Sequence, residues 1–229
     1  MEHLVFTLSA TLAAMGDLAG HERRGTLAWP GQRGTLAWPG RSAVLGLCGA
    51  ALGIRREGDF STLDALQVSV AVYADGSPLR DYHTVQTVPS AAVKRPNSRP
   101  EALRDAGLRT NTTITLRDYR QGVLYGVVLT GAGLEALRDA LNAPVFTLYL
   151  GRKSCPLSAP PGARIVHADT PEAALDSLIL PPWHAGLRPR ALFTDAGAAD
   201  THVETRHDAP RDRQRWHFSP RLVAMRGLG

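Results

Sequence analysis

The sequence predicts an α+β fold, in which strands and helices alternate in one large unit that a smaller β-rich region follows. Two patterns lead to this prediction. Apolar and polar residues alternate in several short segments, as in half-buried strands, and apolar residues recur at helical spacing in two longer segments. The chain has 229 residues, of which 44% are hydrophobic, and this is enough for one large domain or one domain with an appendage.

The first elements are a strand, a helix and a second strand. Residues 3–8 alternate between apolar and polar side chains, which predicts a strand. Residues 42–53 have apolar side chains at helical spacing. Three glycines form a second stripe on this helix, which indicates that another backbone or a ligand comes close to it: Gly46, Gly49 and Gly53. The alternative for Gly53 is that it ends the helix. Residues 68–72 alternate again and lead into a turn at 74–76.

The second half of the main unit continues with strands at 112–117 and 122–129, an amphipathic helix at 134–142 and a strand at 145–150. The complete order is the βαββαβ plan of the ferredoxin-like fold, which the common RNA-recognition fold shares. We expect this domain to span residues 1–157.

A long insertion, residues 75–121, interrupts the plan between its second and third core strands. Its middle is polar, basic and broken by prolines, so it is either functional or poorly ordered. Residues 158–229 are predicted to form a small β-rich appendage, with short strands at 190–194, 202–207 and 216–225. A helix is expected to start at Thr170-Pro171-Glu172, because threonine is a good cap and proline is favoured in the first turn.

The net charge is +5, and 24 of the 26 basic residues are arginines. This bias has two interpretations: bidentate recognition of phosphate and base edges, or a GC-rich genome that encodes arginine by default.

Two cysteines are too few for a disulfide framework. The chain shows no signal peptide and no apolar run near 18 residues, so we expect a soluble cytoplasmic protein without a membrane partner.

Two basic segments combine cations, hydroxyl groups and free backbone amides. Arg41-Ser42 opens the first helix, and Gly151-Arg152-Lys153-Ser154 follows the strand predicted at 145–150. Such groups together hold phosphate. Two alternatives stay open: Ser42 is a plain N-cap, and 151–154 is a solvated turn. Neither segment supplies a nucleophile and a base, so both favour anion binding over cleavage.

The eight residues 24–31 recur unchanged at 33–40. Two copies are too few for a repeat fold, and a longer surface loop costs little closure entropy. The first copy is therefore predicted to be surplus loop. The alternative is that Arg24 and Arg33 hold successive phosphates, with Thr35 beside them.

Several segments together resemble the CasD subunits of type I-E CRISPR Cascade complexes. The first resembles the N-terminal signature of that family and comprises 33–35, 38–47 and 50–56; the others are Asp81-Tyr82-His83-Thr84-Val85, 113–119 and 148–157. The resemblance covers about residues 3–160. It implies a ferredoxin-like core with an inserted thumb, and a subunit that holds the 5′ handle of the CRISPR RNA (crRNA) without cleaving it. It also implies contacts with the CasC backbone subunits and the large subunit CasA, an indirect relation to target DNA, and guide processing by CasE.

The resemblance and the two basic segments give one set of candidate RNA-binding residues: Arg24, Arg33, Thr35, Arg41, Ser42, His83, Arg117, Tyr119, Gly151, Arg152, Lys153 and Ser154. Tyr119 could stack on a base or pack in the core. The alternative function is a metal-independent endoribonuclease that uses Tyr82, His83, Tyr119 and Lys153. We predict neither a metal site nor a cofactor, since His202 and His207 would lie on opposite faces of a strand.

Overall fold

A computed structural model describes residues 1–16, 35–89, 91–93, 98–213, 215 and 217–228. Its strands are β1 (Glu2–Ala13), β2 (Gln67–Ala74), β3 (Ser77–Thr87), β4 (Asn111–Thr130), β5 (Arg164–His167), β6 (Ala191–Asp195), β7 (Val203–Asp212) and β8 (His217–Gly227). Its helices are α1 (Arg41–Ala51), α2 (Ser61–Asp64), α3 (Arg99–Ala106), α4 (Leu134–Asn142) and α5 (Pro171–Leu175), with a 3-10 turn at Pro182–His184. The protein is therefore of mixed α and β structure, as the sequence predicts.

The strands form one sheet in the order β5-β1-β4-β2-β6-β8-β7, and β3 pairs with β4 outside this order. All of these pairings are antiparallel. The C-terminal strands, predicted at 190–194, 202–207 and 216–225, continue the sheet because β6 pairs directly with β2. The division into domains at residue 157 stays a prediction.

Each face of the sheet carries its own apolar cluster, because successive side chains of a strand point to opposite faces. On one face, α1, α2 and α4 pack on alternate residues of β1, β2 and β4. The three leucines that the sequence places on one side of α4 are buried there: Leu134, Leu137 and Leu141. Each contributes about 1.5–3 kcal/mol to stability. On the other face, α5 covers the sheet together with the residues that follow it.

Two predicted strands, 112–117 and 122–129, form the single 20-residue strand β4. The N-terminal half of β4 pairs with β3, and the C-terminal half pairs with β1 and β2. Gly122, at φ +71°, lies where the pairing changes. The insertion 75–121 therefore contains a two-stranded arm, made of β3 and the first half of β4, with α3 between them in the chain.

The prediction of a strand at 145–150 is wrong. The backbone amides of Val145 and Phe146 donate to the carbonyls of Ala51 and Ala50, at 3.0 and 3.2 Å. The segment thus satisfies the free carbonyls at the end of α1 instead of pairing with the sheet. The strand that pairs with β1 in its place is β5, about 20 residues further along the chain.

One glycine of the stripe on α1 makes room for an aromatic ring. A Cβ atom on Gly49 would lie 2.4 Å from Cε1 of Phe60, whereas a Cβ atom on Gly46 would meet nothing within 4 Å. Gly53, at φ +76°, follows the end of the helix, as expected of a glycine after a C-terminus. Packing against Phe60 therefore explains Gly49 alone.

His3 is expected to contribute to the pH dependence of the protein's stability. It is fully buried on β1, and its Nδ1 lies 2.7 Å from the Thr130 hydroxyl. Burial lowers the pKa of the His3 imidazole below its ordinary value, because the charged form is desolvated. Below the ordinary pKa of about 6.5, the unfolded chain therefore binds more protons than the folded chain, and the free energy of unfolding falls as the pH drops.

We expect His3→Asn to reduce the loss of stability between pH 7.5 and pH 5.5, measured by urea unfolding. His207→Asn is the matched control, since His207 is exposed on β7, and it should keep the pH dependence of the wild type. An unchanged pH dependence in His3→Asn would show that other groups cause it.

Candidate nucleic-acid interface

The two-stranded arm places three of the predicted residues on one face. Directly opposite residues of an antiparallel pair point to the same side, and Leu79 pairs with Tyr119, Asp81 with Arg117, and His83 with Thr115. The side chains of Tyr119, Arg117 and His83 therefore follow one another along one face of the arm.

The loop 148–157 closes over the base of this arm. The Arg152 guanidinium lies 4.6 Å from the centre of the Tyr119 ring, in a cation–π contact. The loop is a tight turn, in which the Cys155 amide donates to the Arg152 carbonyl at 2.8 Å and the Leu150 amide donates to the Cys155 carbonyl at 2.8 Å. This turn fixes Arg152 on Tyr119 and leaves Lys153 and Ser154 exposed.

Gly151 allows the loop to approach the end of β1. The Ala14 amide donates to the Leu150 carbonyl at 3.0 Å, which holds the two backbones together. Gly151 has φ +86°, and a Cβ atom there would lie 1.8 Å from the Ala14 carbonyl oxygen. Glycine is needed here for its conformation and for its lack of a side chain.

A groove of about 410 Å³ lies beside this contact. Its lining residues are Thr35, Pro78, Leu79, Arg80, Asp118, Tyr119 and Arg120. Thr35 reaches the groove because it forms a bridge with Gly16, just beyond β1. We call this groove, with Arg152 on Tyr119 beside it, the arm-base groove. It brings together Thr35, Tyr119 and Arg152, which are far apart in the sequence.

Most of the charges in the arm-base groove are paired. Arg80 donates to both carboxylate oxygens of Asp118, at 2.7 and 3.2 Å, and Arg120 lies 3.7 Å from Asp75. In the part of the chain that the structure describes, neither Arg117 nor Lys153 forms an ion pair. Neither residue lines the groove, but Arg117 follows Tyr119 on the same face of the arm and Lys153 is exposed next to Arg152. Both are available to an external anion beside the groove.

The start of α1 already holds an anion of the chain itself. Asp208, buried on β7, accepts a hydrogen bond from the Arg41 amide at 2.7 Å. The Arg41 side chain is only 12% exposed and donates to the Asp64 carbonyl at 2.7 Å. The helix is capped by Gly40, so the alternative that Ser42 is the N-cap is wrong. RNA contact by Arg41 and Ser42 stays a prediction.

The described part of the second copy of the eight-residue repeat, residues 35–40, packs against the core. Trp38 is buried, its ring stacks on Phe193 with the centroids 4.2 Å apart, and the Arg206 guanidinium lies 4.5 Å above it. The first copy, with Arg24, and also Arg33 lie outside the described residues.

Sequence reasoning missed Asp208, the carboxylate that occupies the helix start, and the Arg80–Asp118 pair of the groove. The Arg80–Asp118 pair could have been predicted only from the tendency of arginine and aspartate to pair across strands, and that prediction requires the register of β3 on β4.

Among the described residues, no group of three or more His, Cys, Asp or Glu side chains could hold a metal ion, and no helix is long and apolar enough to cross a membrane.

The structure thus presents an antiparallel sheet, a projecting two-stranded arm and a groove with free cations at the base of the arm. The chain belongs to a family of CRISPR-associated proteins: the family model described as CRISPR-associated protein (Cas_Cas5) matches residues 3–224. The resemblance to CasD subunits is thereby confirmed at the level of the family.

A curated relative agrees with this assignment. The CRISPR system Cascade subunit CasD of Escherichia coli (strain K12) is 36% identical over 150 residues. The matched region is 58% of this chain and 61% of the length of that relative.

Two solved structures share the fold. A chain of a CRISPR RNA-guided surveillance complex has a TM-score of 0.69 at 23% identity, with 99% of this chain and 90% of that chain covered. A crystal structure of a Cas protein has a TM-score of 0.61 at 26% identity, with 99% and 94% covered.

Proposed function

We propose that this protein is a non-catalytic RNA-binding subunit of a Cascade-type CRISPR interference complex, where it holds the 5′ handle of the crRNA. The observation that carries this proposal is the arm-base groove, with Tyr119 under Arg152 and Thr35 in its lining, and with the unpaired cations Arg117 and Lys153 beside it. Free cations attract the phosphate backbone, and exposed donors on a preformed turn can orient it. Membership of the family and the CasD relative support the same function.

The fold supports the finer architecture that the sequence suggested. The strands β5, β1, β4 and β2 are adjacent in this order, with α1 and α4 on one face. We therefore propose a ferredoxin-like βαββαβ unit, in which the inserted arm is the thumb. We take 1–157 as this unit, to which β5 of the following region adds the last strand, and 158–229 as the C-terminal region.

The same proposal includes the partners that the resemblance implies. The subunit caps one end of a backbone of CasC subunits, contacts the large subunit CasA and meets target DNA only indirectly, in the cytoplasm. The ribonucleoprotein is the functional form, and its guide RNA is the ligand of the arm-base groove.

The arrangement does not favour the endoribonuclease alternative. A general base must lie within hydrogen-bond reach of the proton that it removes, together with the other catalytic groups. Tyr82 and His83 are consecutive on β3, so their side chains point to opposite faces of the arm, and Tyr119 is 8% exposed beneath Arg152. The four residues of the alternative therefore do not meet at one point.

The double variant Arg117→Ala/Lys153→Ala tests RNA binding at the groove. We expect the affinity for a 5′-handle RNA to fall about 100-fold or more, because two charge-assisted contacts at about 1.5–3 kcal/mol each are lost and about 1.4 kcal/mol is a factor of ten. Two lost phosphate contacts should also reduce the slope of log affinity against log salt by about 1.4 units. Filter binding of the purified protein at several salt concentrations measures both quantities.

The control for this variant is Arg138→Ala/Arg215→Ala. It removes the same net charge, from exposed arginines that are paired with Asp139 and Asp212. Equal losses of affinity in the two double variants would show that only net charge matters. Cleavage of repeat RNA without divalent metal that disappears in His83→Ala would replace the proposal with the nuclease alternative.

A further inference from the structure

The segment 176–190, between α5 and β6, is fixed to the sheet at both of its ends. Near its start, Leu178 fills the space above Gly126 of β4, where a Cβ atom would lie 2.6 Å from Leu178 Cδ1. At its end, the Arg190 amide donates to the Val72 carbonyl at 2.8 Å, and the Arg190 guanidinium donates to Asp75 at 2.6 Å. The segment is therefore an ordered part of the surface.

Between these anchors the segment exposes three large apolar side chains. Ile179 is 70% exposed, Trp183 is 59% exposed and Leu187 is 39% exposed. The turn that carries Trp183 begins with two prolines and is closed by a hydrogen bond from the His184 amide to the Pro181 carbonyl at 2.8 Å. Proline fixes φ, so little conformational entropy remains to be lost when a partner binds.

The charges of this segment define the partner. Asp176, at its start, is the one carboxylate of the segment, and Arg190 is already paired with Asp75. Arg188 is exposed and forms no ion pair within the described part of the chain. One free cation and one exposed indole, Trp183, are too little for a polyanion, which is bound by several cations and several stacked aromatic rings. It suits a protein surface whose apolar pocket has carboxylates at its rim.

We propose that residues 179–188 are a docking surface for another protein subunit, which receives Trp183 in an apolar pocket and pairs Arg188 with a carboxylate. Tryptophan and arginine are the residues that most often dominate the energy of protein interfaces. The surface lies on the face of the sheet that α5 covers and uses none of the residues of the arm-base groove. It rests on the proposed function in that the partner is a subunit of the same complex.

The test uses the full chain and the other protein subunits encoded at the same CRISPR locus, each purified separately. Biolayer interferometry measures the affinity of each subunit for the wild type, Trp183→Ser and Arg188→Glu. We expect Trp183→Ser to weaken the binding of one subunit about 30-fold, and Arg188→Glu to weaken the same interaction. Leu222→Ser is the matched control, since Leu222 is 58% exposed on β8; its affinity should stay within about twofold of the wild type.

Three results would overturn the docking surface. Unchanged affinity of Trp183→Ser for every subunit would exclude it directly. A loss of 5′-handle RNA affinity in Trp183→Ser would make the segment a nucleic-acid surface. Self-association of the wild type that Trp183→Ser abolishes would make a second copy the occupant. The RNA affinity of the wild type is measured separately, so a failure of the proposed function is distinguishable from a failure of the docking surface.

Discussion

Replacing Asp208 with alanine is expected to lower the free energy of unfolding by about 3–5 kcal/mol, as expected when one partner of a buried ion pair is removed. Asp208 is 7% exposed and accepts from Arg221 at 2.7 and 3.1 Å. The same carboxylate accepts from the Arg41 amide at the start of α1, where an anion also interacts favourably with the helix dipole. The variant leaves a largely buried guanidinium with one carboxylate, Asp195, and leaves a helix amide without its acceptor.

The control for Asp208→Ala is Glu204→Ala on the same strand. Glu204 pairs with Arg206 at 2.7 Å but is 48% exposed, so its removal should cost less than about 1 kcal/mol. Urea unfolding of both variants at neutral pH gives the comparison. If Asp208→Ala loses no more stability than Glu204→Ala, the network does not attach β7 and β8 to α1 as the distances indicate.

Replacing Gly151 with alanine is expected to cost about 2–5 kcal/mol and to weaken RNA binding. The left-handed conformation of Gly151, at φ +86°, costs a residue with a Cβ atom about 1–2 kcal/mol. The added Cβ atom would also lie 1.8 Å from the Ala14 carbonyl oxygen, and relieving such a clash typically costs about 1–3 kcal/mol more. The displaced loop would move Arg152 away from Tyr119, so the arm-base groove would lose its shape.

The control variant Gly162→Ala separates the cost of the left-handed backbone conformation from the cost of the clash with Ala14. Gly162 also has a positive φ, +61°, but a Cβ atom there would meet nothing within 4 Å. It should therefore show the conformational cost alone, with unchanged affinity for 5′-handle RNA. Thermal unfolding and filter binding of both variants decide the matter: equal destabilisation would mean that the contact between Gly151 and Ala14 does not constrain the loop.

The sequence predicted which residues belong to the candidate site, but not which of them lie close together in the fold. The sequence marks Thr35, Tyr119 and Arg152 as candidates, and the structure brings these three to one groove. It also marks Arg41 by the same chemistry, yet Asp208 occupies that helix start in the structure. A basic residue at a helix N-terminus predicts an affinity for anions, and whether the anion is external or part of the chain depends on residues far away in the sequence.

The sequence by itself determined the elements that short-range patterns specify. Alternation predicted β2, the leucine spacing predicted α4, and Thr170-Pro171 predicted the start of α5, where the threonine hydroxyl accepts from the Ala173 amide at 3.2 Å. These patterns reflect periodicity and capping within a few residues, and the motif series was specific enough to indicate the family.

Only the tertiary structure decided which segments pair. The mostly apolar segment 145–150 resembles a strand, but its first amides bond to the end of α1, and β5 takes the place beside β1. The two strands predicted around residue 120 join into β4 because β3 and β1 supply partners along its whole length. A strand is defined by the chain that satisfies its backbone hydrogen bonds. That partner is chosen by packing between distant segments, which periodicity within one segment does not record.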